Sequence, residues 1–119
     1  MAEADMHSLR QLVEERGRLK AALASLKTFC DTRGATESIT ALQSRLDSYL
    51  PIIEKCTAIH DRTMAIVSGT PEEEAHEQYF CEFEDSYHQI AGAIRDHIRR
   101  AQAPANRRAK LACCIRFTN

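Results

Sequence analysis

The sequence predicts an all-α protein, an elongated antiparallel three-helix bundle with coiled-coil-like packing. Only four Gly and three Pro occur among 119 residues, which favours helices over turn-rich sandwich and barrel folds. Apolar residues recur at spacings of three and four along three long segments, which is the period of an amphipathic helix. The connections between these segments are short, and short connections make successive helices antiparallel neighbours.

The first helix is predicted at about residues 8–31. Gly34 follows it, and we expect this glycine to adopt the left-handed conformation just past the helix end. Arg16 is a charged residue within the apolar stripe. We expect its aliphatic stem to lie along the edge of the core and its guanidinium to pair with a carboxylate in the Glu84–His88 region.

The second helix is predicted at about residues 36–68, with Thr36 as its N-cap. Pro51 interrupts it, because proline has no amide hydrogen to donate to the carbonyl of Asp47 and its ring crowds that turn. The apolar stripe continues in phase after the proline. We therefore expect one helix kinked at Pro51, with two shorter helices as the alternative.

The third helix, predicted at about residues 71–103, has the clearest start signal in the chain. Ser68-Gly69 closes the preceding helix, and Thr70 can cap the next one. Pro71 suits the first helical position, and Glu73 completes a Thr-x-x-Glu capping box.

The charges divide the chain into an acidic body and a basic end. All 17 acidic residues lie within residues 1–98, whereas the charged residues of 99–119 are all basic. We expect Pro104 to end the third helix, so that a helical bundle over 1–103 is followed by a basic, disordered tail over 104–119. Cations at this end are candidates for binding RNA phosphates or an anionic membrane surface. They are Arg99, Arg100, Arg107, Arg108 and Lys110.

Composition also bears on location. The apolar runs are shorter than a transmembrane helix requires, and the N-terminus does not resemble a secretory signal. The five cysteines are an odd number without the regular spacing of a disulfide framework. We predict reduced thiols in a cytoplasmic protein, with the nucleus as the alternative.

A metal site is one candidate for chemistry. Cys56 and His60 lie one helical turn apart, and the predicted hairpin brings Cys81 and His76 close to their level. Cys81, however, directly follows the stripe residue Phe80 and is predicted to point to the flank. We therefore interpret Cys56 and His60 as buried packing residues and predict no bound metal.

Acid–base catalysis is the second candidate, carried by Glu82, Glu84, Asp85 and His88. Catalytic carboxylates need burial to separate their pKa values, and these residues lie mostly opposite the aromatic stripe. The sequence has no Gly-rich phosphate loop and no nucleophile elbow. We predict neither enzymatic activity nor a cofactor.

Apolar helix faces are the remaining candidates for function. Helices this long around a thin core leave apolar edges uncovered, which favours self-association or docking on partner helices. The predicted core or interface residues are Leu19, Leu23, Leu26, Leu42, Leu46, Ile53, Phe80, Phe83, Tyr87, Ile90 and Ile94.

Three stretches of the sequence, in this order and spacing, resemble the N-terminal Gag-like region of BEL/Pao-type LTR retrotransposon polyproteins. The first is Arg16-Gly17-Arg18-Leu19-Lys20-Ala21 continuing to Leu26-Lys27-Thr28-Phe29. The second is Leu42-Gln43-Ser44-Arg45-Leu46, and the third is Gln78-Tyr79-Phe80 with Phe83-Glu84-Asp85-Ser86-Tyr87. The resemblance covers roughly residues 8 to 100.

The resemblance implies a non-enzymatic helical segment that assembles or organises a particle, and no catalytic residues belong to such a segment. The sequence lacks the family's zinc knuckle, its protease motif and its polymerase motif, so we expect a truncated or host-adopted copy. The leading prediction is a Gag-like assembly or protein-interaction segment. The alternative is a nucleic-acid-binding or membrane-surface adaptor that acts through the basic tail.

Overall fold

The protein folds into four consecutive helices in the computed structural model, which describes the backbone of residues 2–118 and the side chains of residues 2–102. The described residues form helices and the turns between them, with no strand. The helices are α1 (Glu3–Arg33), α2 (Ile39–Tyr49), α3 (Pro51–Val67) and α4 (Glu73–Thr118). Because α2 and α3 are two parts of one bent helix, the arrangement is an all-α bundle of three packed helices, as predicted.

α4 continues past Pro104 to Thr118, so the predicted end of the third helix at this proline was wrong. Within a helix, a proline removes one backbone hydrogen bond and can kink the helix without ending it. The side chains of 103–119 lie outside those that the structure describes, and the predicted basic tail stays a prediction.

The bend between α2 and α3 lies at Pro51, as predicted. Leu50 keeps right-handed helical angles, φ −53° and ψ −40°, and its amide donates to the Leu46 carbonyl at 3.0 Å. The helical path is thus unbroken, and what the proline removes is its own donor to the preceding turn. From α4, the Tyr87 hydroxyl donates to the Leu50 carbonyl at 3.4 Å and braces the bend.

The predicted N-cap of the second helix was wrong. Ser38 is the cap, and its hydroxyl accepts a hydrogen bond from the Ala41 amide at 3.1 Å. Thr36 lies within the turn that ends α1, where its hydroxyl donates to the Arg33 carbonyl at 3.3 Å. Two oxygen-bearing residues close together both suit a cap, and the longer α1 leaves only the later one free for it.

Gly34 also departs from its prediction, because its φ of −58° is right-handed. A close approach explains the glycine. A Cβ at Gly34 would lie 2.5 Å from the Cys30 carbonyl oxygen and 2.7 Å from Cδ2 of His97, closer than atoms can approach without a shift. The residue with positive φ, at 79°, is Gly69 in the α3–α4 turn.

The α3–α4 turn has the residues of the predicted capping box, with one change of partner. The Thr70 hydroxyl accepts from the Glu72 amide at 3.3 Å and donates to the Val67 carbonyl at 2.6 Å. The Glu73 carboxylate accepts from the Gly69 amide at 3.0 Å, one residue before the predicted partner. The turn therefore satisfies backbone groups at the end of α3 as well as at the start of α4.

A buried apolar cluster is built from residues of all four helices. Most residues of the predicted core set are buried in it, while Leu19, Ile53 and Phe80 are half-buried and pack against it. Other buried residues lie outside this cluster, towards the α3–α4 turn. They are Leu12, Ile59, Thr63 and Val67.

Candidate functional site

A polar layer crosses the bundle at Arg16. Its Nη1 lies 2.8 Å from Nδ1 of His76, and its Cζ lies 4.0 Å from the ring centroid of Tyr79, a cation–π contact. The guanidinium can only donate, so Nδ1 of His76 is the acceptor and the imidazole is neutral. Both partners come from α4, and the layer joins it to α1.

The predicted carboxylate partner of Arg16 was wrong. Among the described side chains, ion pairs join Arg33 to Glu37 and Arg99 to Asp96, and none includes Arg16. The packing of α1 on α4 puts Arg16 level with His76 and Tyr79, about two helical turns before the Glu84–His88 region. The register between the helices therefore decides the partner.

Burial determines the electrostatics of this layer. Burial lowers the pKa of Arg16, while Tyr79 and Cys56 act in the opposite direction. The pKa of His76 is lowered by burial, then by the charge of Arg16 and by His60, and Glu72 opposes the shift. Nε of Arg16 is buried without a hydrogen-bond partner, which adds an energetic cost to the layer.

The residues of the considered metal site are not brought together. Cys56 is buried and Cys81 is exposed. The His60 ring stacks on Phe80, with centroids 4.2 Å apart and planes 7° from parallel. Within the described residues, no group of three His, Cys, Asp or Glu side chains is placed to hold a metal ion.

Cys56 is not placed for nucleophilic chemistry either. Burial raises the pKa of its thiol to about 11, helped by Glu84 and opposed by Arg16. The thiol is therefore protonated near neutral pH, whereas the thiolate is the reactive form. Of the considered acid–base residues, Glu84 is half-buried, and Glu82, Asp85 and His88 are exposed.

Several large apolar side chains remain exposed on the bundle surface, and the predicted interface set missed all of them. They are Met6, Val13, Ile39 and Leu50. Met6 and Val13 are seven residues apart on α1, so they share one side of that helix. The seven-residue spacing of these two residues is a sequence signal for a second apolar side of the helix. The prediction missed it because only the most apolar stripe was considered.

At the basic end, Arg99 and Arg100 are exposed, and Arg99 pairs with Asp96. The other predicted phosphate-binding residues, Arg107, Arg108 and Lys110, lie outside the described side chains. Within the described residues, no helix has both the length and the apolar character needed to cross a bilayer.

Acidification is expected to destabilise the bundle through His76. Its pKa in the fold is below the ordinary value of 6.5 that the unfolded chain keeps. The unfolded state therefore binds the proton more readily, and the stabilisation is full above that value and lost as the pH falls towards the folded pKa. Urea unfolding at pH values on both sides of the ordinary pKa measures this loss.

His76→Gln keeps an acceptor for Arg16 but does not titrate, so we expect its stability to depend less on pH. The exposed His88 provides the control, since His88→Gln should follow the wild type. An equally steep acid loss in His76→Gln and the wild type would show that His76 is not the group responsible.

The comparisons with known proteins found no relative. No family model matches the sequence, and neither the curated proteins nor the solved structures include a significant match.

Proposed function

We propose that this chain is a non-catalytic helical module that works by self-association or by packing on partner helices. The alignment of exposed apolar side chains on α1 carries the proposal. Met6 is 50% exposed and Val13 is 39% exposed, on the same side of one helix. Isolated apolar residues are ordinary on a protein surface, but an aligned pair on a long helix is a candidate interface.

The packing inside the bundle supports a function that uses the outer surface of the helices. The predicted core or interface residues pack within the chain, so the fold itself uses them. The surface available to a partner is therefore the outside of the helices. Two side chains are candidates for a chemical role. The thiol of Cys56 is protonated, and the guanidinium of Arg16 is in contact with His76 and Tyr79.

We further propose that the module derives from the Gag-like region of a BEL/Pao-type retrotransposon polyprotein. The three stretches at 16–29, 42–46 and 78–87, which follow one another in the same order as in that family, support this origin. It agrees with an assembly role and adds no catalytic residue.

The alternative function is an adaptor that binds RNA or an anionic membrane surface through the basic end. The exposure of Arg99 and Arg100 favours it, together with the absence of acidic residues from 99–119. Binding through these cations would fall steeply with added salt.

Light scattering after size exclusion, with and without an RNA oligonucleotide at two salt concentrations, separates the two functions. We expect an oligomer whose mass does not depend on RNA. A strict monomer would contradict self-association, and a monomer that binds RNA with a steep salt dependence would establish the adaptor instead.

A further inference from the structure

We infer that the first part of α1 is an arm that acid releases: protonation of His76 breaks its hydrogen bond with Arg16 and frees the arm, residues 3–15, from the bundle. The main buried cluster stays packed in the acid form, so the opening is local. The release of the arm does not depend on the proposed function.

Apolar packing holds the arm weakly. Leu12 is 3% exposed and is the one buried side chain among residues 3–22. The later part of α1 is anchored by several buried side chains, which are Leu23, Leu26, Phe29 and Cys30. Segments with few buried apolar contacts open at a lower free energy than the core of a protein. The arm therefore depends on its polar contact more than the rest of α1 does.

That polar contact is the hydrogen bond from Nη1 of Arg16 to Nδ1 of His76, at 2.8 Å. Within the described residues, it is the one side-chain hydrogen bond between α1 and another helix, since Arg33 bonds to Glu37 in the turn after α1. Arg16 directly follows the arm, and His76 lies in the first turn of α4. The bond thus ties the end of the arm to the start of α4.

Protonation of His76 replaces this attraction with repulsion. Neutral His76 accepts the hydrogen bond at Nδ1, whereas a protonated Nδ1 carries a hydrogen and can only donate. The imidazolium would then face the guanidinium of Arg16 in a half-buried site, where charges repel more strongly than in water. Glu72 is exposed one helical turn before His76 and favours its charged form, so the imidazolium has an acidic neighbour outside α1.

The other titratable groups around this contact do not offset the repulsion. Burial and then Arg16 lower the pKa of His76, and His60 on α3 acts in the same direction. Burial raises the pKa of the Cys56 thiol to about 11, and it also raises the pKa of Tyr79. Both groups are therefore uncharged at neutral and acidic pH and supply no anion.

Release of the arm uncovers the end of α3. Arg16 lies close enough to Cys56 for their charges to interact, and α1 and α3 are antiparallel, so the arm lies beside the residues that follow Cys56. The buried residues there lie outside the main cluster, and they are Ile59, Thr63 and Val67. Because tertiary packing supplies most of the stability of a helix, the freed arm unwinds.

The arm also carries Met6 and Val13, the exposed pair on which the proposed function depends. The proton on His76 would thus control that surface too. This consequence rests on the proposed function. A chain that stays monomeric at every concentration would remove the consequence and leave the release of the arm standing.

Hydrogen exchange of the full chain, followed by mass spectrometry and corrected for the intrinsic effect of pH on exchange, tests the release. The pH is set above and below 6.5, the ordinary pKa of histidine. We expect the protection of the arm amides to fall by about threefold or more in acid, while the amides around Leu42 in α2 keep theirs. An equal loss in α2 would mean global unfolding and would overturn the local opening.

Three variants assign the effect to His76. His76→Gln keeps an acceptor for Arg16 without titrating, so the protection of its arm should not depend on pH. His76→Lys carries a positive charge at both pH values, so its arm should exchange at neutral pH as the wild type does in acid. His88→Gln, at an exposed position, should follow the wild type. An arm that opens in acid equally in His76→Gln and the wild type, or one that stays protected in His76→Lys, would overturn the inference.

Discussion

Leu42→Ala is expected to lower the free energy of unfolding by about 2–5 kcal/mol. Leu42 is 0% exposed and belongs to the buried cluster that all four helices build. Truncation removes its buried methyl groups and leaves a cavity that rigid neighbouring helices fill only in part. Equilibrium unfolding in urea gives the change directly.

Ile39→Ala on the same helix is the matched control. Ile39 is exposed at the start of α2, so the same kind of truncation should cost much less. Equal losses in the two variants would mean that α2 is not packed through Leu42, and the described core would then be incorrect.

Gly34→Ala is expected to destabilise the fold by about 1–3 kcal/mol. The added Cβ would lie 2.5 Å from the Cys30 carbonyl oxygen and 2.8 Å from Nε2 of His97. The His97 ring can rotate away, but the backbone oxygen can move only if the end of α1 shifts. Thermal unfolding followed by circular dichroism measures the effect.

Gly92→Ala is the control for Gly34→Ala, because both make the same chemical change. Gly92 lies within α4, and a Cβ there would meet nothing within 4 Å. We expect this variant to gain about 0.5–1 kcal/mol from the higher helix propensity of alanine. A Gly34→Ala variant as stable as the wild type would contradict the close approach of α4 to the end of α1.

The sequence allowed the all-α fold to be predicted because helix periodicity and short connections are local signals. The bend at Pro51 was equally accessible, since a missing backbone donor acts wherever the proline lies. The identity of the N-cap residue of α2 was harder to predict. Thr36 and Ser38 carry the same functional group two residues apart, and the length of α1 decides between them.

Contacts between helices could not be derived from local patterns. Pairing Arg16 with His76 depends on the register between α1 and α4, and a shift of two turns would have supplied the expected carboxylate. Gly34 shows the same limit. The sequence indicated a glycine at a helix end, but only the position of His97 shows that the fold requires a residue without a Cβ there.

The predicted candidate interface differs from the one in the structure for a related reason. The prediction assigned the most apolar stripe of each helix to a core or an interface without distinguishing the two. In the structure, the core of the single chain buries nearly all of this stripe. What remains for a partner is the weaker stripe of α1, where Met6 and Val13 are exposed. The exposed face becomes visible only after the intramolecular packing is known.

Sedimentation equilibrium of the unmodified chain over a wide concentration range tests the central claim, self-association through helix surfaces, most directly. We expect the average mass to rise with concentration from one chain towards two. A mass of one chain at every concentration, with the helical circular dichroism signal intact, would contradict it.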